Sequence, residues 1–326
     1  MNILITGAGS VMGQSIYKAL ALAGMDEAPQ VHFANSDELG AGRYFSKSAA
    51  PVVATPIFPL AASPDYTQFL EKYVDEHEID IVFSGTQHEL AKISEFRDRT
   101  IRAATIPSDI AQICMDKVRT AAVLRPYRVA VPETWTFEEY LDSTDITGAV
   151  IVKPNHSSSS RDIYHIENRS EIGAVIGDVE GAHQNFLVQQ WLQGDEYTCG
   201  CYIDRYSQEI HQITLRRTLT ADGATHFGQI VHDENISSYV EKVGKALIDE
   251  GLDFGHINVQ LILTESGPVL FEINGRLSST EVAKAQFGFN SCAAFVSNIV
   301  NKESYGDWNV PSRGSFLRFY EEIYLD

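Results

Sequence analysis

Cysteine, tryptophan and positive charge are all scarce in this chain, and no apolar run approaches the roughly 20 residues that a membrane-spanning helix requires. The four cysteines, Cys114, Cys199, Cys201 and Cys292, have neither metal-ligand nor redox spacing. Buried free thiols in a reducing compartment are expected. Lysine and arginine total 25 against 44 aspartates and glutamates, a formal net charge of −19. That balance excludes a general surface for nucleic acid or for an anionic membrane, since both are polyanions. An anionic ligand must therefore be met by local positive charge. The start, Met1-Asn2-Ile3-Leu4-Ile5, lacks the basic segment of a secretory signal, so a cytoplasmic location is expected. Low-complexity segments and internal repeats are absent as well.

The 326 residues suffice for two domains, or for one with a large insertion. An apolar strand over residues 2–6 leads into Gly7-Ala8-Gly9-Ser10-Val11-Met12-Gly13 and an amphipathic helix, the arrangement that points helix N–H groups at an anion. A second strand, residues 31–35, ends near Asp37, where a dinucleotide fold places a ribose-binding acid. The glycine spacing is G-x-G-x-x-x-G, however, and such turns also occur without a cofactor. Residues 79–83 form a near-continuous apolar strand, interrupted by Asp80, of the parallel-sheet kind, followed by a polar turn, residues 84–90. That turn and the Gly7 turn are placed to face one crevice. Within it, His88 and Glu89 fit either helix capping or substrate contact. One helix is predicted from Asp109 to Leu124, closed by Pro126.

Residues 149–153 form an apolar strand ending in Lys153, before Pro154-Asn155-His156 and the serines Ser157, Ser158, Ser159 and Ser160. A lysine beside a loop of small residues suits a phosphate cradle, and serine-rich composition also suits a plain surface turn. Residues 186–192 and 196–203 read as strands joined through Gln193-Gly194-Asp195. Arg216, Arg217 and Arg318 are candidates to meet an anionic substrate.

The most informative stretch lies further on. Residues 258–263 and 269–276 alternate polar and apolar side chains on either side of Thr264-Glu265-Ser266-Gly267-Pro268, which predicts a β-hairpin. Glu272 and Asn274, two apart, project to the same side. Pairing Leu263 with Val269 across a five-residue turn sets Gln260 opposite Glu272 and Asn258 opposite Asn274. This oxygen-rich face, flanked by Arg276, suits a Mg²⁺ that keeps waters and bridges to phosphate. It equally suits a solvated hairpin face, and a one-residue slip would send one strand's polar set to the other side.

In this order the segments resemble the ATP-grasp superfamily, and within it the branch of the carbamoyl-phosphate synthetase large subunit. The residues that carry the resemblance are Asp116-Lys117, Val150-Ile151-Val152-Lys153-Pro154, Leu187-Val188-Gln189-Gln190-Trp191-Leu192 with Gly194 and Glu196, Asn258-Val259-Gln260, and Phe271-Glu272-Ile273-Asn274-Gly275-Arg276. The resemblance implies an α/β chain: a Rossmann-like domain over residues 1–108, then an ATP-grasp fold over 109–326 whose two α+β subdomains clasp ATP, with a lid at about 146–187. By the same resemblance Lys117 and Lys153 contact the ATP phosphates and Ser157 to Ser160 close over them, with His226 and Gly228 nearby. Gln190, Trp191 and Leu192 form the hinge that reads adenine, and Glu196 holds the ribose. Gln260, Glu272 and Asn274 bind Mg²⁺, for which Mn²⁺ can substitute, and Arg276 stabilises the transferred phosphoryl group. Glu272 is the one anion of the metal set. The implied activity is an ATP-dependent ligase that activates a small-molecule carboxylate as an acyl phosphate and joins it to an amine or similar nucleophile. A homo-oligomer fits this reading, and neither nucleic acid nor membrane is an expected partner. Two alternatives are a catalytically weak nucleotide-binding regulatory protein of the same fold and a nicotinamide-dependent oxidoreductase built on the Gly7 turn.

Overall fold

Three sheets organise the computed structural model, which describes residues 1–25, 27–45, 50–156, 162–178, 185–220 and 223–324. The first is parallel, in the order β3-β2-β1-β4, from Asn2–Ile5 (β1), Gln30–Phe33 (β2), Val52–Ala54 (β3) and Ile81–Phe83 (β4). Ile3, Leu4 and Ile5 of β1 and Ile81, Val82 and Phe83 of β4 are all apolar and fully buried because both faces of the sheet are covered. Ile3, Ile5 and Phe83 pack against Ile16, Tyr17 and Leu20 of α1 (Val11–Ala21). Leu4 and Val82 point the other way, to α2 (Tyr66–Glu76) and α3 (Leu90–Thr100). At the carboxyl ends of β1 and β4 the two polar turns press together. Gly7 takes φ +59°, and a Cβ on Gly85 would fall 2.1 Å from the Thr6 carbonyl oxygen, so only glycine permits this approach.

A predicted single helix over 109–124 is in fact two, Ser108–Met115 (α4) and Lys117–Leu124 (α5). Asp116 is extended between them and caps the second, its carboxylate accepting from the Arg119 N–H at 2.9 Å. The break sets Lys117 at the first turn of α5 and not midway along a longer helix.

The second sheet is antiparallel, in the order β5-β8-β6-β7, from Thr134–Thr136 (β5), Val150–Pro154 (β6), Tyr164–Ile166 (β7) and Phe186–Gln190 (β8). With α6 (Phe137–Asp142) and α7 (Ile172–Asp178) it makes a small separate core around Phe137, Tyr140, Val152 and Val188. The sheet built from the strands of the 146–187 segment thus also draws in β5, from ahead of it.

The third sheet has six antiparallel strands, β13-β12-β9-β10-β11-β14: Asp195–Ile203 (β9), Ile210–Leu219 (β10), Thr225–Val231 (β11), Gly255–Thr264 (β12), Gly267–Asn274 (β13) and Ser315–Leu317 (β14). One face packs Cys199, Cys201 and Ile203 against Val240, Val243 and Leu247 of α8 (Glu234–Asp249). From the other, Tyr202 meets Phe289 and Phe295 around α9 (Glu281–Gln286) and α10 (Ser291–Val296), in the same core as α1 and β1. The two large sheets therefore share one hydrophobic interior, which fixes the first domain against the rest. All four cysteines are buried free thiols, and burial pushes Cys114, Cys199 and Cys201 up to about 12. Among the described residues no helix is long and apolar enough to cross a membrane.

The β12–β13 hairpin reaches its expected register by an unexpected route. Its turn is tighter than predicted: Thr264 pairs with Gly267 and Leu263 with Pro268, not Val269. A bulge then inserts Phe271, because Leu261 pairs with Leu270 while Gln260 pairs with Glu272. Asn258 accordingly lies opposite Asn274, as the sequence suggested.

Candidate nucleotide-binding and catalytic site

A cavity of about 670 Å³ opens where the three sheets meet. Its apolar end is formed by Ile151 and Ile163 of the small sheet, Trp191 and Leu192 after β8, and Leu219, Ile262 and Phe271 of the large sheet. The bulge explains why Phe271 is there. In regular alternation only one of two consecutive residues faces a given side, yet Phe271 and Glu272 both line the cavity. One gives an apolar wall, the other a carboxylate.

Toward the middle, Lys117 and Lys153 converge on Glu272. The Lys117 Nζ donates to the Asn155 carbonyl at 3.0 Å and lies 3.9 Å from the Glu272 Oε1. Lys153, at the end of β6, sits with its ammonium 5.5 Å from the Phe271 ring centroid. Burial pushes Lys153 down to about 8, Glu272 opposes the shift, and Lys117 adds to it. Glu196, at the start of β9, accepts from the Nε of Arg217 at 2.9 Å, and Arg217 also donates to the Gln260 Oε1 at 2.9 Å. Gln190 and Trp191 are tied to the body of the protein by backbone N–H donation to the Glu133 and Ala149 carbonyls. The Trp191 ring lies 4.4 Å from that of His165, centroid to centroid.

The far end belongs to the first domain and the segment after β13. Ser10, Val11 and Met12 at the start of α1 contribute, as do Gly85 to His88, Arg276, Ser278 to Thr280 and Arg318. The Arg276 guanidinium donates to the Gln87 side chain and to the Leu277 carbonyl. Burial draws its pKa below the usual arginine value, with Glu272 and Glu281 pulling the other way. Behind this wall lies a fully buried ionic unit. Lys284 donates to Glu281 at 2.9 Å, to the Asn258 Oδ1 at 3.0 Å and to the Ser278 Oγ at 3.1 Å. Burial alone would raise the Glu281 carboxyl, but the Lys284 ammonium holds it down at about 2.

Of the residues singled out in the sequence, Lys117, Lys153, Gln190, Trp191, Leu192, Glu196, Gln260, Glu272 and Arg276 line this one cavity. Asn258 lines it too, its side-chain amide oxygen Oδ1 accepting from the Thr198 hydroxyl and the Lys284 ammonium. Asn274 is buried and is not a lining residue. Ser157 to Ser160 lie outside the described residues. His226 and Gly228 do not line the cavity; the His226 carbonyl pairs with Arg318, and Gly228 packs on Phe316. The three candidate arginines separate: Arg217 and Arg318 face the cavity, whereas exposed Arg216 pairs with Asp195 at 3.0 Å. Glu89 is structural, since its buried carboxylate accepts from Thr6, Tyr66 and Thr86. Sequence reading missed Phe271 as a wall, the Ser278–Thr280 segment and Lys284. The run of hydroxyl residues just past Arg276 was the one available signal.

The Gly7 turn does not support a nicotinamide cofactor. Four of its N–H groups are spent internally: Ala8 donates to the Ala34 carbonyl, Gly9 to the Asn35 side chain, Ser10 to the Gly7 carbonyl and Gly13 to the Ser10 side chain. Donors already satisfied by the protein are not free to cradle a pyrophosphate.

Among the described residues no three His, Cys, Asp or Glu side chains converge. Glu272 and the Gln260 amide oxygen are hard donors on one face, which fits a Mg²⁺ that completes its shell with water and phosphate oxygens. They do not make an all-protein cage.

Residues 114–280, just over half of the chain, match the ATP-grasp domain, and the chain belongs to that family. The D-alanine–D-alanine ligase of Alcanivorax borkumensis is 33% identical over 86 residues, which span 26% of this chain and only 27% of that relative. Among solved structures, the L-amino acid ligase from Bacillus licheniformis superposes with a TM-score of 0.71 at 15% identity, covering 91% of this chain and 73% of that one. The biotin carboxylase domain of the Hydrogenobacter thermophilus 2-oxoglutarate carboxylase, solved with MgADP and bicarbonate, gives 0.75 at 12% identity, covering 96% and 73%. At such identities the likeness is one of fold.

Proposed function

We propose that this protein is an ATP-dependent ligase that phosphorylates a small carboxylic acid and transfers the acyl group to an amine or similar nucleophile in the cytoplasm. One observation carries the reading. Among the described residues five cationic side chains, Lys117, Lys153, Arg217, Arg276 and Arg318, line a single cavity with only two carboxylates, Glu196 and Glu272, in a chain of net charge −19. Such local reversal of charge, next to an apolar slot, fits a nucleotide triphosphate.

In this reading adenine lies between Trp191, Leu192, Ile151, Ile262 and Phe271, with Glu196 at the ribose. Lys117 and Lys153 neutralise the phosphates, and Glu272 with Gln260 forms the side toward which Mg²⁺, or Mn²⁺, would be held; Asn274, expected beside them, is buried and does not line the cavity. The metal supplies charge neutralisation across the phosphates when bound. An oxygen of the substrate carboxylate attacks the γ-phosphorus, and the bond to the β–γ bridging oxygen breaks with its electron pair leaving on ADP. Arg276, fixed by Gln87, faces the charge that develops on the transferred group. The nucleophile's nitrogen then attacks the acyl carbon, releases its proton, and expels phosphate with the carbon–oxygen electron pair. No enzyme nucleophile is needed. The segment 146–187, hinged near Gln190, is the proposed lid that keeps water from the acyl phosphate.

The test is release of ADP and phosphate with candidate acid and amine pairs, in the wild type and in Glu272→Ala and Arg276→Ala. Full activity in both variants would sink the proposal. Nucleotide binding by calorimetry without phosphate release for any pair would instead favour a regulatory protein, the reading to which a single acidic metal ligand also points.

A further inference from the structure

At the far end of the cavity stands a guanidinium with no carboxylate to answer it. Arg318 follows β14, beyond the 114–280 segment that matches the family, and its side chain lines the cavity half-buried. Its Nη2 donates to the Ser279 carbonyl at 2.7 Å, and its backbone N–H donates to the His226 carbonyl, so both main chain and side chain are held in place. Among the described residues no carboxylate lies within 4 Å of it, although Asp and Glu outnumber Lys and Arg by 44 to 25. Arg276, on the other side of Ser278 to Thr280, likewise has no carboxylate at ion-pair distance. Two held guanidinium groups therefore face the end of the cavity remote from the adenine slot.

The proposed ligase reaction gives the two arginines different tasks. A carboxylate's own charge is lost when it becomes an acyl phosphate, and the new charge sits on the phosphoryl oxygens. An arginine that bound only that group would stabilise the acid before reaction and loosen its hold afterwards, which slows attack without retaining the intermediate. An arginine that holds the acid through both halves of the reaction must meet a group whose charge persists. Arg276 is close enough to Glu272 to feel its charge and suits the reacting end, which leaves Arg318 for a second anionic group. The complementary question is whether the cavity also accepts an ammonium. The carboxylates that line it among the described residues are Glu196, engaged by Arg217, and Glu272, beside Lys117. Neither is at liberty at the acceptor end, where the first domain offers Ser10, Thr86, Gln87 and His88. Burying an unpaired ammonium there would carry a heavy desolvation cost.

Resting on the ligase reading, we infer that the acid substrate is a small dianion without an ammonium group, a dicarboxylic acid or a phosphono-carboxylic acid, whose non-reacting anion is bound by Arg318. Guanidinium forks bind either anion through paired N–H donors. The source of the second charge is decided by the test.

The experiment uses the whole protein with Mg²⁺. Binding of propionate, succinate, glutarate, 3-phosphonopropionate, L-alanine and L-aspartate is measured by calorimetry with a nonhydrolysable ATP analogue present. Acyl phosphate formed with ATP is trapped as the hydroxamate by hydroxylamine. Succinate, glutarate or 3-phosphonopropionate should bind at least tenfold more tightly than propionate and either amino acid. Arg318→Met should weaken that acid by about 10- to 100-fold while nucleotide affinity stays the same. Arg318→Lys should recover part of the loss, which separates lost charge from lost folding. A preference for L-alanine, L-aspartate or propionate, or dianion binding that Arg318→Met leaves intact, would overturn the inference and leave the ligase reading standing. Dianion binding that depends on Arg318 but yields no hydroxamate would overturn the ligase reading and leave the anion subsite standing.

Discussion

The Nε of Arg276 donates to the Oε1 of Gln87 at 2.6 Å, across 189 residues of sequence. The bond joins the end of the hairpin to the turn that follows β4, so the orientation of Arg276, proposed to face the transferred phosphoryl group, depends on a residue outside the matched family segment. Gln87→Leu should therefore lower kcat about tenfold, as expected for loss of a hydrogen bond to a charged group, about 1.5 kcal/mol. The dissociation constant for a nonhydrolysable ATP analogue should change less than twofold. Steady-state ADP release and calorimetry check the split, and a purely nucleotide-affinity effect would contradict the assigned role.

Lys284 and Glu281 form a buried ion pair whose members are 0% and 1% exposed as side chains. Lys284→Met leaves the carboxylate without its counter-charge and should cost about 3–5 kcal/mol of stability in urea unfolding. Lys284→Met combined with Glu281→Leu should recover most of that loss. A double variant as unstable as the single one would show that packing, not charge, dominates.

The same unit makes the fold acid-sensitive. Burial pushes His256 down to about 3, with its Nδ1 on the Ser291 hydroxyl at 2.9 Å. Below its ordinary value of 6.5 the unfolded chain takes up a proton that the folded protein refuses, so stability declines as pH falls from 6.5 toward 3. Glu281, held at about 2 by Lys284 against the effect of burial, adds a loss of the same sign below pH 4.5. The slope assigned to His256 approaches roughly 1.4 kcal/mol per pH unit, and His256→Gln should flatten the pH profile of Tm above pH 5.

Lys153 should couple nucleotide binding to protons. Its ammonium, pushed by burial to about 8, is half neutral near that pH in the free protein, and triphosphate charge favours the protonated form. Affinity for the ATP analogue should fall up to about tenfold per pH unit above pH 8, with proton uptake visible as a buffer-dependent heat. Lys153→Arg should abolish this dependence. Because the folded value lies below the ordinary 10.5, stability of the free protein should rise from pH 8 to 10.5. A flat affinity profile would refute the coupling.

Metal binding should follow the nucleotide. If, as proposed, the metal is held on the side of Glu272, the one carboxylate there among the described residues, Mn²⁺ alone should bind only at millimolar concentration, and ATP should tighten it at least 100-fold. Glu272→Gln should lose turnover while ATP binding measured without metal persists. Electron paramagnetic resonance of Mn²⁺ reads both directly, and micromolar Mn²⁺ binding without nucleotide would contradict the expectation.

Local patterns in the chain conveyed a good part of this. The apolar runs at residues 2–6 and 79–83 announced parallel strands, and alternation around Glu272 announced the hairpin face. Lys117 was marked, although the helix containing it was drawn too long, because an aspartate cap between two helical patterns leaves the apolar period intact. The hairpin register at Gln260 and Glu272 was anticipated through the wrong turn: the predicted five-residue loop is a tight turn plus a bulge at Phe271. Each shifts the pairing by one residue, and the two compensate. Periodicity cannot register such a pair of offsets, and so it could not place Phe271 beside Glu272 on the cavity wall.

By itself the sequence determined what is local: which segments are strands and helices, which carry lysine, glutamate or arginine at their ends, and that a chain of net charge −19 must gather cations wherever it binds an anion. Only the tertiary structure decided which charges remain for a ligand. Arg216 and Arg217 are neighbours in sequence, yet strand alternation gives one to Asp195 at the surface and the other to Glu196 and Gln260 inside the cavity. Arg276 meets Gln87, and Arg318 meets Ser279, through packing between elements far apart in the chain. Pairing between such distant groups is set by how sheets and helices bury their apolar faces, which residue spacing along one segment does not encode.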